Sequence, residues 1–176
     1  ELKGEKLAVH GYCSYTANPL GMPTKFNKDG INELAVPRVK EKMKSYSSQG
    51  YLNIVSYHTG DEHVNFPRYS DILLSRSLAD VVPYIYYGHH PHVIQGVESL
   101  QGSLIAHSLG NFLFDDVYTE RSSKPLVVQT ENNKTGMVLG VEIHDGMILN
   151  HECQLTYSDD DSLKLLEGTG KLNEYS

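Results

Sequence analysis

A chain of 176 residues with 39% hydrophobic and 21% charged residues is long enough to bury a core, and too apolar for a disordered tail or a fibrous repeat. Lys and Arg number 15 against 22 Asp and Glu, a net charge of −7, the wrong sign for a protein that tracks a nucleic-acid backbone. No run approaches the roughly 18 apolar residues of a membrane helix.

The apolar run Lys6–Tyr12 predicts a first strand. Cys13 follows it. With Cys153 it makes two cysteines, too few for a disulfide framework and without zinc-motif spacing, read equally as a pair or as two separate thiols. Thr16–Gly30, with Pro19, Gly21 and Pro23, reads as a long loop. In Ile31–Ser48 the residues Leu34, Val36, Val39, Met43 and Tyr46 recur between Lys, Arg and Glu, the pattern of an amphipathic helix that tolerates Pro37 only in its first turn. Tyr51–His58 predicts a second strand, and Pro67–Ala79 a second helix opened by its proline. Asp80–Tyr87 reads as a strand buried on both faces, with Pro83 as the discordant residue because it cannot donate to a ladder. Val93–Leu100 and Ser103–Leu109 flank Gly102 as a hairpin. Leu126–Thr130, Gly136–Ile143 and Met147–Leu155 predict further strands, the last two joined by the turn His144-Asp145-Gly146. The acidic Ser158–Ser162 is expected to cap a terminal helix, Leu163–Glu167. Alternating strands and helices followed by mostly strands predict an α/β fold of mixed β-sheets packed as a sandwich with flanking helices.

Two predicted strands end alike. Tyr51–Tyr57 runs into His58-Thr59-Gly60-Asp61-Glu62-His63, and Val81–Tyr87 into Gly88-His89-His90-Pro91-His92. Ligand crevices of open α/β sheets lie beyond strand carboxyl ends, so parallel neighbours would open both clusters onto one crevice. Pro91 biases His90 toward an extended backbone, in which His90 and His92 point the same way. His58, His90 and His92 are therefore expected to share a metal centre, with Glu62 as a further oxygen ligand or an acceptor behind the ligands. His10, His107, His144 and His151 read as structural, while His63 and His89 stay undecided. In His107-Ser108-Leu109-Gly110-Asn111-Phe112, Asn111 is a pocket candidate beside the plainer reading as a Gly-Asn turn.

The stretch Ile54–Asp115 resembles the bacterial capsule-synthesis, or poly-γ-glutamate biosynthesis, family known as CapA. Three blocks carry the resemblance: His58-Thr59-Gly60-Asp61-Glu62; Gly88-His89-His90-Pro91-His92-Val93 with Gln95 and Glu98; and Ser108-Leu109-Gly110-Asn111-Phe112. Thr59 stands where the family usually has Trp, which bears on the pocket wall beside His58. The resemblance implies a calcineurin-like metallophosphoesterase architecture, in which two divalent ions (Mn, Fe or Zn) sit at strand ends. His58, His90 and His92 fall on its later histidine positions, and His89 on a variable one.

The family's opening motifs are missing here, and the chain begins at Glu1 rather than Met. It is therefore expected to be the carboxyl-terminal part, residues 1–176, of one longer metallophosphoesterase-fold domain. Its expected partners are the preceding segment of the same protein, capsule-synthesis membrane proteins, and an anionic polymer or phosphoester substrate, with no nucleic acid. The longer protein is expected to be extracytoplasmic or membrane-associated. The functional reading is a metal-dependent hydrolase of capsule metabolism. The alternatives are an assembly or export factor without turnover and a domain that binds an anionic polymer. With a net charge of −7, such a polymer would need metal ions to supply the positive field.

Overall fold

The computed structural model describes residues 4–14, 30–159 and 162–166, so most of the expected loop Thr16–Gly30 lies outside the described residues. The elements are, in order, β1 (Leu7–Cys13), α1 (Val36–Ser47), β2 (Leu52–His58), α2 (Tyr69–Ala79), β3 (Tyr84–His89), β4 (Val97–Leu100), β5 (Ser103–Ala106), β6 (Val117–Thr119), β7 (Ser122–Val127), α3 (Glu131–Lys134), β8 (Thr135–His144), β9 (Met147–Asp159) and β10 (Ser162–Leu165). They form an α/β sandwich of mixed sheets. Five strands take the order β1-β2-β3-β5-β4, parallel except for the antiparallel β4, and three take the order β10-β9-β8. A small antiparallel β6–β7 ribbon stands apart.

Side-chain alternation along the parallel strands splits the five-stranded sheet into two apolar faces. On one face Tyr12, Val55, Tyr57, Tyr84, Tyr86 and Ile105 pack against Val39 and Met43 of α1 and Leu78 and Ala79 of α2. Met43 and Leu78 are fully buried, each worth about 1.5–3 kcal/mol of apolar burial. The buried hydroxyl of Tyr84 donates to the Ser75 carbonyl at 2.7 Å, which satisfies its one polar group. On the other face Val97, Leu104 and Ala106 meet Met137, Leu139, Val141, Ile148 and Leu155 of β8 and β9, which closes the sandwich.

Prolines explain most differences in boundaries. Helix α1 starts at Val36 instead of Ile31, and Pro37 lies in its first turn, where its missing N–H costs nothing. Pro67 precedes α2, whose N-cap position is Arg68. Pro83 lies just before β3, so Asp80–Val82 belong to the exit of α2 and the strand extends to His89. The hairpin turns at Gln101-Gly102 and Asp145-Gly146 have positive φ at both residues, as two-residue hairpin loops require.

The expected terminal helix is a strand. Asp159 accepts hydrogen bonds from both the N–H and the hydroxyl of Ser162 at 2.9 Å, reversing the chain so that β10 pairs antiparallel with β9. The expected strand Leu126–Thr130 is the end of β7 and the approach to α3. Cys13 and Cys153 are free thiols. Among the described residues no helix is long and apolar enough to cross a membrane.

Candidate metal centre

Strands β2 and β3 run parallel in a register that sets His58 beside His89 at their carboxyl ends. The two loops beyond them are tied together. The Thr59 N–H donates to the His89 carbonyl at 3.0 Å, and the His63 N–H donates to the Pro91 carbonyl at 2.8 Å. Gly60 makes the tie possible. It sits at φ +111°, and a Cβ there would lie 2.9 Å from Cγ of Pro91. Thr59 is buried, its hydroxyl 3.5 Å from the Asp71 carboxylate. The position that bears Trp in the family thus anchors the loop on α2 here.

The ligand atoms of Glu62, His90 and His92 lie within 4.8 Å of one another. His58 stands outside that trio but next to it, its ring centroid 4.7 Å from that of His90. His89 faces another way. Its Nε2 bonds Ser56 Oγ at 2.8 Å, and its ring stacks on Tyr87 with centroids 5.7 Å apart. Asn111 reaches the site: its Oδ1 accepts from Nδ1 of His92 at 2.9 Å, while its own amide donates to Gln129 at 3.4 Å. A proton held on Nδ1 leaves the Nε2 lone pair of His92 free for a cation.

The backbone route to this arrangement differs from the expected one. His90 has φ +105° and His92 φ +58°, so neither is extended. The preference imposed by Pro91 is overridden by the loop ties and by the Asn133 amide, which donates to the His92 carbonyl at 3.0 Å. Positive φ at non-glycine residues costs roughly 1–2 kcal/mol each, and it persists where tertiary contacts over-determine it.

Electrostatics favour neutral imidazoles. Burial pushes His58 below its ordinary value, and His90, His89 and His92 push it the same way against the opposing pull of Glu62. Burial also lowers His90, again opposed by Glu62, and desolvation lowers His89. Two imidazoles and a carboxylate form a donor set suited to a borderline divalent ion such as Zn²⁺ or Mn²⁺. Arg68 forms an ion pair with Asp61 beside the site, which holds that carboxyl below the usual range.

The four histidines read as structural fall elsewhere. His10 bonds Asn53 at 3.0 Å, the buried His107 bonds Glu98 at 3.0 Å, His144 lies 3.5 Å from Asp145, and His151 sits on β9. Asn133 was not foreseen. The Thr130-x-x-Asn133 spacing signals a helix cap, which the structure forms. Nothing local points to its bond with His63, 70 residues away.

Fold and crevice together define the class: an α/β sandwich of the metallophosphoesterase-like kind, with a cluster of histidines beyond its parallel strands. Within that class, the chain belongs to the family described as "Bacterial capsule synthesis protein PGA_cap", whose profile matches residues 1–116. It is 30% identical over 152 residues to the "PGA biosynthesis protein CapA" of Bacillus subtilis (strain 168), a match that covers 82% of this chain and 38% of that protein. It is 37% identical over 76 residues to the "Capsule biosynthesis protein CapA" of Bacillus anthracis, covering 43% of this chain and 18% of that protein. The chain thus spans well under half the length of these relatives.

Proposed function

We propose that this chain carries the histidine-bearing part of a divalent-metal hydrolase site that serves capsule or poly-γ-glutamate production. The observation that carries this reading is the convergence of Glu62, His90 and His92, with Nδ1 of His92 tied to Asn111. Glu62, His90 and His92 would hold the ion, with His58 the nearest candidate for a second one. A bound divalent ion supplies Lewis acidity toward a phosphoryl or carbonyl oxygen. The protein's own part is to favour neutral His58 and His90, to fix the tautomer of His92 through Asn111, and to hold the two loops in register through Gly60 and Pro91.

On this reading, ligands that these residues do not supply would come from further sequence of the kind the longer relatives have. Between the sheets a trough of about 570 Å³ is lined by Ile54, Ile85, Tyr87, His89, Phe112, Met137 and Leu139. Apolar surface of this extent is a surface to be covered, and a preceding segment of the same protein is the proposed cover. The experiment is calorimetric Mn²⁺ and Zn²⁺ titration of this chain and of a chain of the relatives' length, with turnover of a simple phosphodiester as second readout. Ion binding and turnover by the longer chain, both abolished by His90→Ala, are expected. Ion binding without turnover would favour the assembly or export factor, and no ion binding by either chain would overturn the metal site.

A further inference from the structure

Asn133 is 2% exposed, and its neighbours decide the orientation of its amide. Its Oδ1 accepts from the Thr130 hydroxyl at 2.6 Å and from the Thr130 N–H at 3.3 Å. Its Nδ2 lies 3.0 Å from the His92 carbonyl, which can only accept, and 2.8 Å from Nδ1 of His63. Both amide hydrogens are then committed, so Nδ1 of His63 is an acceptor and the ring proton resides on Nε2. The His63 ring lies alongside that of His92, with centroids 6.2 Å apart and planes 29° apart, and the residue is exposed. With Nδ1 occupied and Nε2 protonated, His63 has no lone pair to offer a metal ion.

We propose that Asn133 locks His63 in its Nε2–H tautomer, and that this N–H donates to an oxyanion held beside Glu62, His90 and His92. The second half rests on the metal-centre reading above. The first half stands on hydrogen-bond geometry alone. The ligand class is an oxyanion, phosphoryl or carboxylate, because an N–H donor beside a cation complements an anionic oxygen that bridges the two. Asn133 is in these terms a positioning residue: it never meets the ligand and acts by deciding which nitrogen of His63 carries the proton.

The test reads the tautomer directly, by long-range ¹H–¹⁵N correlation of the histidine rings in this chain without metal, at a pH above the ordinary histidine range. Wild type is expected to show His63 as Nε2–H. Asn133→Asp, whose carboxylate only accepts, is expected to move the proton to Nδ1. Thr130→Val, a milder change that releases the Asn133 amide, should give a mixture. The His107 ring, bonded to Glu98, reports whether each variant is folded. Nδ1–H in wild type, or an unchanged tautomer in a folded variant, overturns the lock. In the second arm, methylphosphonate and acetate are titrated into a Zn²⁺-saturated chain of the relatives' length, which the metal-centre reading requires to bind the ion tightly. His63→Phe keeps a ring and loses the donor. It is expected to weaken the preferred anion by about tenfold or more with Zn²⁺ affinity retained. Which probe responds separates a phosphoryl from a carboxylate ligand. Unchanged anion affinity overturns the donor role. Failure to hold Zn²⁺ overturns it together with the metal-centre reading and leaves the tautomer result standing.

Discussion

At the scale of single residues, the site depends on which nitrogen of each imidazole is free. Asn111→Leu removes the acceptor for Nδ1 of His92. It is expected to lower Zn²⁺ affinity by about 10–100-fold, while Asn111→Asp, which keeps an acceptor oxygen, should retain most of it; calorimetry of both variants checks this. The histidines also imply a pH dependence. His58 and His90 lie below their ordinary value of 6.5 in the folded protein, so the unfolded chain binds more protons across the interval between the two values. Their contribution to stability is then fully present above about pH 6.5 and is lost as pH falls through the depressed folded values. Urea unfolding of metal-free protein, followed over about two pH units around that value, should show stability falling with acidification. His58→Gln should show a shallower slope. Glu98 behaves as an ordinary structural carboxylate. Burial alone would raise it, but hydrogen bonds from Arg76 and His107 outweigh burial and hold it below its usual value.

At the scale of elements, the loops after β2 and β3 act as one unit. Gly60→Val places a branched side chain at φ +111° and against the Pro91 ring. It is expected to cost about 2 kcal/mol or more, from backbone strain and the clash together, and to weaken metal binding because Glu62 and His90 lose their register. Denaturant midpoints and calorimetry of the variant would measure the two effects. At the other end of the chain, Asp159→Ala removes the acceptor of both Ser162 bonds. Faster amide exchange across β10, with β8 and the amino-terminal part of β9 unchanged, is the expected result. The elements themselves were largely legible because hydrophobic period separates α1 from the strands around it. The terminal segment was not: Leu163 and Leu165 alternate over too short a run to choose between strand and helix, and the Asp159 turn with the waiting edge of β9 made the choice.

At the scale of the whole molecule, the five-stranded sheet is well covered by helices on one side and only partly by β8 and β9 on the other. Val9 on the edge strand β1 is 66% exposed, and Phe112 at the mouth of the apolar trough is 57% exposed. This chain alone is expected to bind Mn²⁺ or Zn²⁺ weakly and to show no phosphoesterase turnover, whereas a chain of the relatives' length should bind tightly. Equal, tight, two-ion binding by both chains in calorimetry would contradict this expectation. The longer chain should also bind less of an apolar reporter dye, since burying the trough removes its exposed surface.

The sequence by itself determined the α/β class, the two strands that run into the histidine clusters after Tyr57 and Tyr87, and the family, because periodicity and three dense motifs are local properties. It also placed Glu62, His90 and His92 in neighbouring loops. Tertiary structure alone decided how those loops bend. Left-handed His90 and His92 contradict their local preference and are held there by carbonyl ties to Thr59, His63 and Asn133. It alone brought Asn133 to His63 across 70 residues and turned His89 toward Ser56. A backbone preference of one or two kcal/mol is a weak force. Several hydrogen bonds made at once by distant segments outweigh it, and no reading along the chain shows which distant segments will meet.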